Sequence, residues 1–97
     1  MRLEFDWDPV KAQINFKKHG VSFIEAASVF SDSLSVTVPD PDHSLEEDRY
    51  VTVRLSNRSR HLIVAHSERD DYIRIISART LTRAEKEAYE RGDEIRT

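Results

Sequence analysis

Asn15-Phe16-Lys17-Lys18-His19-Gly20 reads as the end of a helix, and the layout of the chain follows from where that helix stops. Two lysines and a histidine crowd the last turn, where cations are favoured by the carbonyl end of the helix dipole. Gly20 just past them supplies a left-handed cap. Alone, the stretch is a capped terminus. It becomes the mouth of a phosphate-handling site only if other cations converge on Lys18 and His19. Working backwards, Asp8 is an N-cap and Pro9 the first helical position, so the helix runs from Pro9 to about His19. Val10 and Ile14 give it a thin apolar stripe. Trp7, Lys11, Asn15 and Lys18 or His19 follow at near-helical spacing on another face. Before it, Arg2 to Trp7 alternates polar and apolar residues, the period of a half-buried strand.

Working forwards, Ser22-Phe23-Ile24-Glu25 is a capping box with Val21 before it. Phe23, Ala26, Ala27 and Phe30 then mark a core helix. Leu34, Val36 and Val38 alternate with polar residues as a second strand, and Pro39 to His43 is a stiff loop. Tyr50 to Leu55, His61 to His66 and Tyr72 to Arg79 are three more strands. The turn Ser56-Asn57-Arg58-Ser59 separates the first two, with Asn57 suited to unusual backbone angles. Thr82-Arg83-Ala84-Glu85 is a second capping box, opening a peripheral helix that Gly92 ends. The order β-α-α-β-β-β-β-α predicts an α+β fold. Two N-terminal helices and one C-terminal helix pack on a small antiparallel sheet.

The chain has 97 residues and no cysteine, with 38% hydrophobic and 34% charged residues. These predict a single domain over residues 1–97 with one modest core, and remove disulfides and thiolate chemistry. No apolar run approaches the roughly 20 residues of a membrane span, and the N-terminus has no apolar signal region. A cytoplasmic location is therefore expected. The formal net charge of -3 hides an asymmetry. Val21 to Asp48 contains no Lys or Arg, whereas Arg49, Arg54, Arg58, Arg60, Arg69, Arg74 and Arg79 follow. Guanidinium forks suit phosphates and carboxylates.

The last strand carries the sharpest signal. Simple alternation points Ile73, Ile75 and Ser77 one way and Tyr72, Arg74, Ile76 and Ala78 the other, with Arg79 just beyond. Arg74 among apolar neighbours needs an anion. That anion is either a carboxylate such as Glu47 or Glu68, or a phosphate. Arg49, directly after Glu46-Glu47-Asp48, has the same two options. Arg54, Arg58 and Arg60 read as solvated. A histidine can shuttle protons near neutral pH, so His19 is either a cap or a proton carrier. Trp7 and Tyr50 can stack on a base, and Trp7 can instead close the core beside Phe5. The four histidines show no metal-ligand spacing and there is no glycine-rich phosphate loop, so neither a metal nor a cofactor is expected.

Taken together, Phe5-Asp6-Trp7-Asp8, Lys11, Asn15, Lys18-His19-Gly20-Val21, Glu25-Ala26, Glu47-x-Arg49-Tyr50, Arg74-Ile75-Ile76-Ser77-Ala78-Arg79, Glu85 and Tyr89 resemble the BrnT family of toxins from type II toxin–antitoxin pairs. One departure is Arg54, where that family often has glycine. The resemblance implies a RelE-like ribonuclease fold and RNA cleavage that blocks translation. It also implies a ribbon-helix-helix antitoxin of BrnA type, forming a hetero-oligomer that contacts DNA only through the antitoxin. The antitoxin would cover the arginine face or add a helix along the sheet. The resemblance makes Lys18, His19, Glu47, Arg49, Arg74 and Arg79 the candidate catalytic residues. Trp7, Lys11, Tyr50 and Ser77 are the candidate substrate contacts. His19 or Glu47 would move the proton, and Lys18, Arg74 and Arg79 would hold phosphate charge, with Arg49 orienting Glu47. The alternative is a non-catalytic module that binds RNA or the antitoxin through the same arginines. The geometric requirement of the enzyme is that His19 and Arg79 share one concave face.

Overall fold

The computed structural model describes residues 4–32, 34–40 and 49–92. Its elements are strand β1 (Glu4–Asp6), helix α1 (Pro9–His19), helix α2 (Phe23–Ala27) continued by a 3-10 turn (Ser28–Ser31), strands β2 (Val36–Pro39), β3 (Arg49–Leu55), β4 (His61–Arg69) and β5 (Tyr72–Thr80), and helix α3 (Arg83–Arg91). The α+β architecture and its element order are those the sequence predicts. Strands β2 to β5 form an antiparallel meander, and β1 pairs in parallel with the far side of β5, giving the order β1-β5-β4-β3-β2. Proline ends β2 because that strand is a sheet edge with β3 as its neighbour, so no second ladder is interrupted.

Local chemistry sets the helix ends where the sequence places them. Asp8 Oδ1 accepts from the Val10 N–H at 2.8 Å, and Gly20, at φ 68°, donates its N–H to Phe16 O at 2.8 Å. Ser22 Oγ accepts from the Glu25 N–H at 3.0 Å. The Glu25 side chain does not return to close a capping box. It pairs with Arg60 and accepts from Ser56 Oγ at 2.7 Å. At the β3–β4 turn the left-handed residue is Ser59 (φ 59°), not Asn57.

The sheet is packed on both faces. Under α1 and α2 lie Val21, Phe23, Ala26, Val29, Leu62, Val64, Ile73, Ile75 and Ala78. The opposite face carries Val51, Val53 and Ile63, capped at one end by Leu81 and Tyr89. Helix α3 has no buried residue and is peripheral, as expected. The predicted stripe on α1 is overturned: Val10 is 63% and Ile14 58% exposed. The helix instead meets the sheet through Ala12 and Asn15, and small side chains there allow close approach. Two arginines expected in solvent are tied down. Arg54 donates to Asp32 at 2.7 Å and to the Tyr89 hydroxyl at 3.3 Å. Arg60 pairs with Glu25 and donates to Gly20 O at 3.1 Å, bracing the end of α1.

Candidate active site

Two local devices build the site. The first is the left-handed cap at Gly20, which stops α1 so that exposed Lys18 and half-buried His19 stand at its end. The second is a bulge in β5. Ala65 pairs with Ser77 and His66 with Ile75, leaving Ile76 as the extra residue. The bulge reverses the alternation beyond it. Ile73, Ile75 and Ala78 all enter the core under the helices. Ser77 therefore lies on the opposite face from Ile73 and Ile75, contrary to simple alternation. It joins Arg79 beside Val51, Ile63 and Ala65.

The result is a cavity of about 410 Å³ to which Lys18, His19, Asp40, Arg49, Ser77 and Arg79 all contribute. His19 and Arg79 line it together, which is the geometry the enzyme requires. Arg79 is held by a fork: Nη1 and Nη2 donate to the two oxygens of Glu85 at 2.6 and 2.8 Å, and Nη1 also donates to Thr80 O at 3.2 Å. Glu85 closes the capping box of α3 as well, accepting from the Thr82 N–H at 2.8 Å. The Arg79 guanidinium, with the Thr82 bonds, holds the Glu85 carboxyl down to about 2. One carboxylate thus anchors a helix and orients an arginine, whose remaining N–H groups stay available to an anion.

The other candidates separate. Arg74 lies on the same sheet face but pairs with Asp6 at the β1 edge and does not line the cavity. Tyr50 stacks on His66, with ring centroids 6.0 Å apart, on the helix-covered face. Trp7 packs edge-on against Phe23 at 6.0 Å and lines a different hollow with Ile14, Phe16 and Ile24. Lys11 lines a smaller hollow of about 200 Å³ that shares Lys18, His19 and Ser77 with the main cavity. Glu47 and His43 lie outside the described residues. Among the described residues, no group of three or more His, Asp or Glu is arranged to hold a metal.

Sequence reasoning passed over three participants. Asp40, almost wholly buried, lines the cavity, and its N–H donates to Arg49 O at 3.0 Å. Its position at the end of β2 places it across from Arg49, but that needs the β2–β3 register. Glu85 was legible as a cap but not as the partner of Arg79. Asn15 was legible on a helix face, yet its amide bonds lead to Val21 and Ala78, the latter far along the chain.

A helix end bearing Lys18 and His19, set against an arginine-bearing sheet face, makes this a small α+β domain with a cationic cavity. The family model described as "Ribonuclease toxin, BrnT, of type II toxin-antitoxin system" matches residues 7–85. The chain belongs to the BrnT family of type II ribonuclease toxins. Among solved structures, it resembles the crystal structure of the Brucella abortus ribonuclease toxin, BrnT. The TM-score is 0.66 at 21% identity, covering 84% of this chain and 100% of that one. At that identity the likeness speaks for the fold. Among curated proteins, no sequence matches this chain.

Proposed function

We propose that this chain is a single-domain, metal-independent endoribonuclease toxin whose reacting phosphate sits in the cavity of Lys18, His19, Arg49, Ser77 and Arg79. The observation that carries the reading is the convergence of His19 and Arg79 on one cavity, beside two further cations. RNA brings its own nucleophile, so no metal-bound water is required. The 2′-hydroxyl oxygen bonds to the adjacent phosphorus, and the bond to the 5′-oxygen of the next nucleotide breaks. One proton must leave the 2′-oxygen and one must reach the 5′-oxygen. His19 is the assigned proton carrier, with Glu47 as the alternative from the sequence. Lys18, Arg49 and the remaining N–H groups of the Glu85-oriented Arg79 stabilise the extra phosphate charge, and Ser77 Oγ donates to a phosphate oxygen. Lys11 follows the strand into the neighbouring hollow. Arg74 extends the basic face outside the reacting group. Trp7 and Tyr50 are assigned to the core rather than to base stacking.

The toxin reading adds arrest of translation in the cytoplasm and neutralisation by a BrnA-type ribbon-helix-helix antitoxin. That hetero-oligomer would reach DNA through the antitoxin. Among the described residues, no helix is long and apolar enough to cross a membrane. The test is expression of the chain alone, scored by growth and amino-acid incorporation. The unsubstituted chain should arrest both. His19→Ala and Arg79→Ala should each cost on the order of 10²–10³ in rate and relieve the arrest, with circular dichroism unchanged. Continued arrest by both folded variants refutes the assigned site. RNA binding without cleavage by the purified protein supports the non-catalytic module instead.

A further inference from the structure

We propose that Asn15 is the positioning residue of this site, the side chain that sets the register between the Lys18–His19 helix end and the Ser77–Arg79 segment. Its kinetic arm rests on the ribonuclease reading above. Asn15 is 6% exposed on a helix whose large apolar residues mostly face solvent. Its Nδ2 donates to Val21 O at 2.9 Å and to Ala78 O at 2.8 Å, while Oδ1 accepts from the Ala78 N–H at 3.0 Å. The network fixes the amide orientation, since exchanging oxygen and nitrogen would face Oδ1 against two carbonyls.

The sheet explains why an amide is needed there. Strand β1 covers the outer side of β5 only from Tyr72 to Arg74. Further along, Ala78 presents a buried N–H and C=O that β1 does not reach, and unpaired buried backbone groups are costly. Asn15 supplies both partners, as a short length of strand would. Ala78 lies between Ser77 and Arg79, so the same bonds fix the piece of β5 from which both side chains enter the cavity. At the other end, Asn15 precedes Lys18 and His19 by one helical turn, and Val21 follows the Gly20 cap. The Asn15–Val21 bond therefore closes the backbone around Lys18-His19-Gly20. One amide holds both halves of the site, from elements that meet nowhere in sequence.

Asn15→Asp tests this. It keeps the shape and the Ala78 N–H acceptor but presents oxygen to two carbonyls. In the folded variant, kcat on single-stranded RNA should fall by about 10²-fold, the order expected for a displacement near 1 Å, with KM changed by less than about threefold. In a Lys18→Ala, His19→Ala background the same substitution should change the rate by less than about twofold, because the helix-end groups whose register against Ser77 and Arg79 it sets are gone. Equal factors in both backgrounds, or an unchanged kcat, overturn the proposal. An independent arm uses NMR. Cross-peaks between His19 and Ser77 or Ala78 should disappear in Asn15→Asp while the β4–β5 cross-peaks between Ala65 and Ser77 persist. Retained His19 cross-peaks overturn it. If the unsubstituted protein cleaves no RNA, the ribonuclease reading fails separately and the cross-peaks alone decide. If Asn15→Asp does not fold, Asn15→Gln is measured in the same way. Failure of both to fold overturns the proposal in favour of a purely structural asparagine.

Discussion

Replacing Glu85 by glutamine should weaken the fold and alter the site together, because one carboxylate serves both. The substitution keeps an acceptor for the Thr82 N–H and removes the charge facing Arg79. The drop of the Glu85 carboxyl from an ordinary 4.5 to about 2 corresponds to at most about 3 kcal/mol of favourable interaction. The two side chains retain 14% and 30% exposure, so solvent screening reduces this to about 1–2 kcal/mol. Urea unfolding at pH 7, followed by the fluorescence of the single tryptophan, Trp7, should show that loss. The sign with pH is fixed by the lowered carboxyl. Its contribution is complete above about 4.5 and fades as pH falls through about 2, so the gap between the two proteins should narrow over that range. For RNA, releasing Arg79 from its counter-charge should tighten binding, while the lost orientation of its fork should lower kcat. Equal stability at pH 7, or a gap as large at pH 2.5 as at pH 7, would refute the pairing argument.

His66 has no exposed surface and lies between Phe30 and Tyr50, with Nε2 against Thr52 Oγ1 at 2.7 Å. Burial pushes its imidazole down to about 4, so the fold favours the neutral ring. The native state should lose about 2–3 kcal/mol as pH falls from 6.5 towards 4, before the carboxylates contribute, and His66→Gln should flatten that slope in urea titrations. Gly20→Ala meets no atom within 4 Å but forces alanine to φ 68°; it should cost about 1 kcal/mol and lower Tm by roughly 4–8 °C in calorimetry. Lys11→Ala should weaken RNA binding alike across sequences and reduce the salt slope by about 0.7, read by fluorescence anisotropy; an unchanged slope removes Lys11 from the RNA path.

What was legible in the sequence was local. The caps at Asp8, Gly20, Thr82 and Gly92 are written within a few residues of the ends they make, and each is found in place. Alternation identified the strands because each buries one face. The face of Ser77 was not legible, since the bulge at Ile76 exists only against Ala65 and His66 of β4. The parallel docking of β1 and the partners of Arg54, Arg60, Arg74 and Asn15 are likewise long-range choices. Arginine and asparagine side chains advertise donors but not which distant acceptor they reach. Lys18, His19, Arg49 and Arg79 were named from sequence and do meet. Glu85 and Asp40, whose partners lie across a turn or a strand pair, required the fold.

The central claim is that the His19–Arg79 cavity cuts RNA using the RNA's own hydroxyl. Purified protein incubated with single-stranded RNA in EDTA tests it most directly. The account predicts fragments ending in 2′,3′-cyclic phosphate with matching 5′-hydroxyl ends, lost in His19→Ala and Arg79→Ala. Intact RNA, or fragments produced equally by both variants, would contradict it.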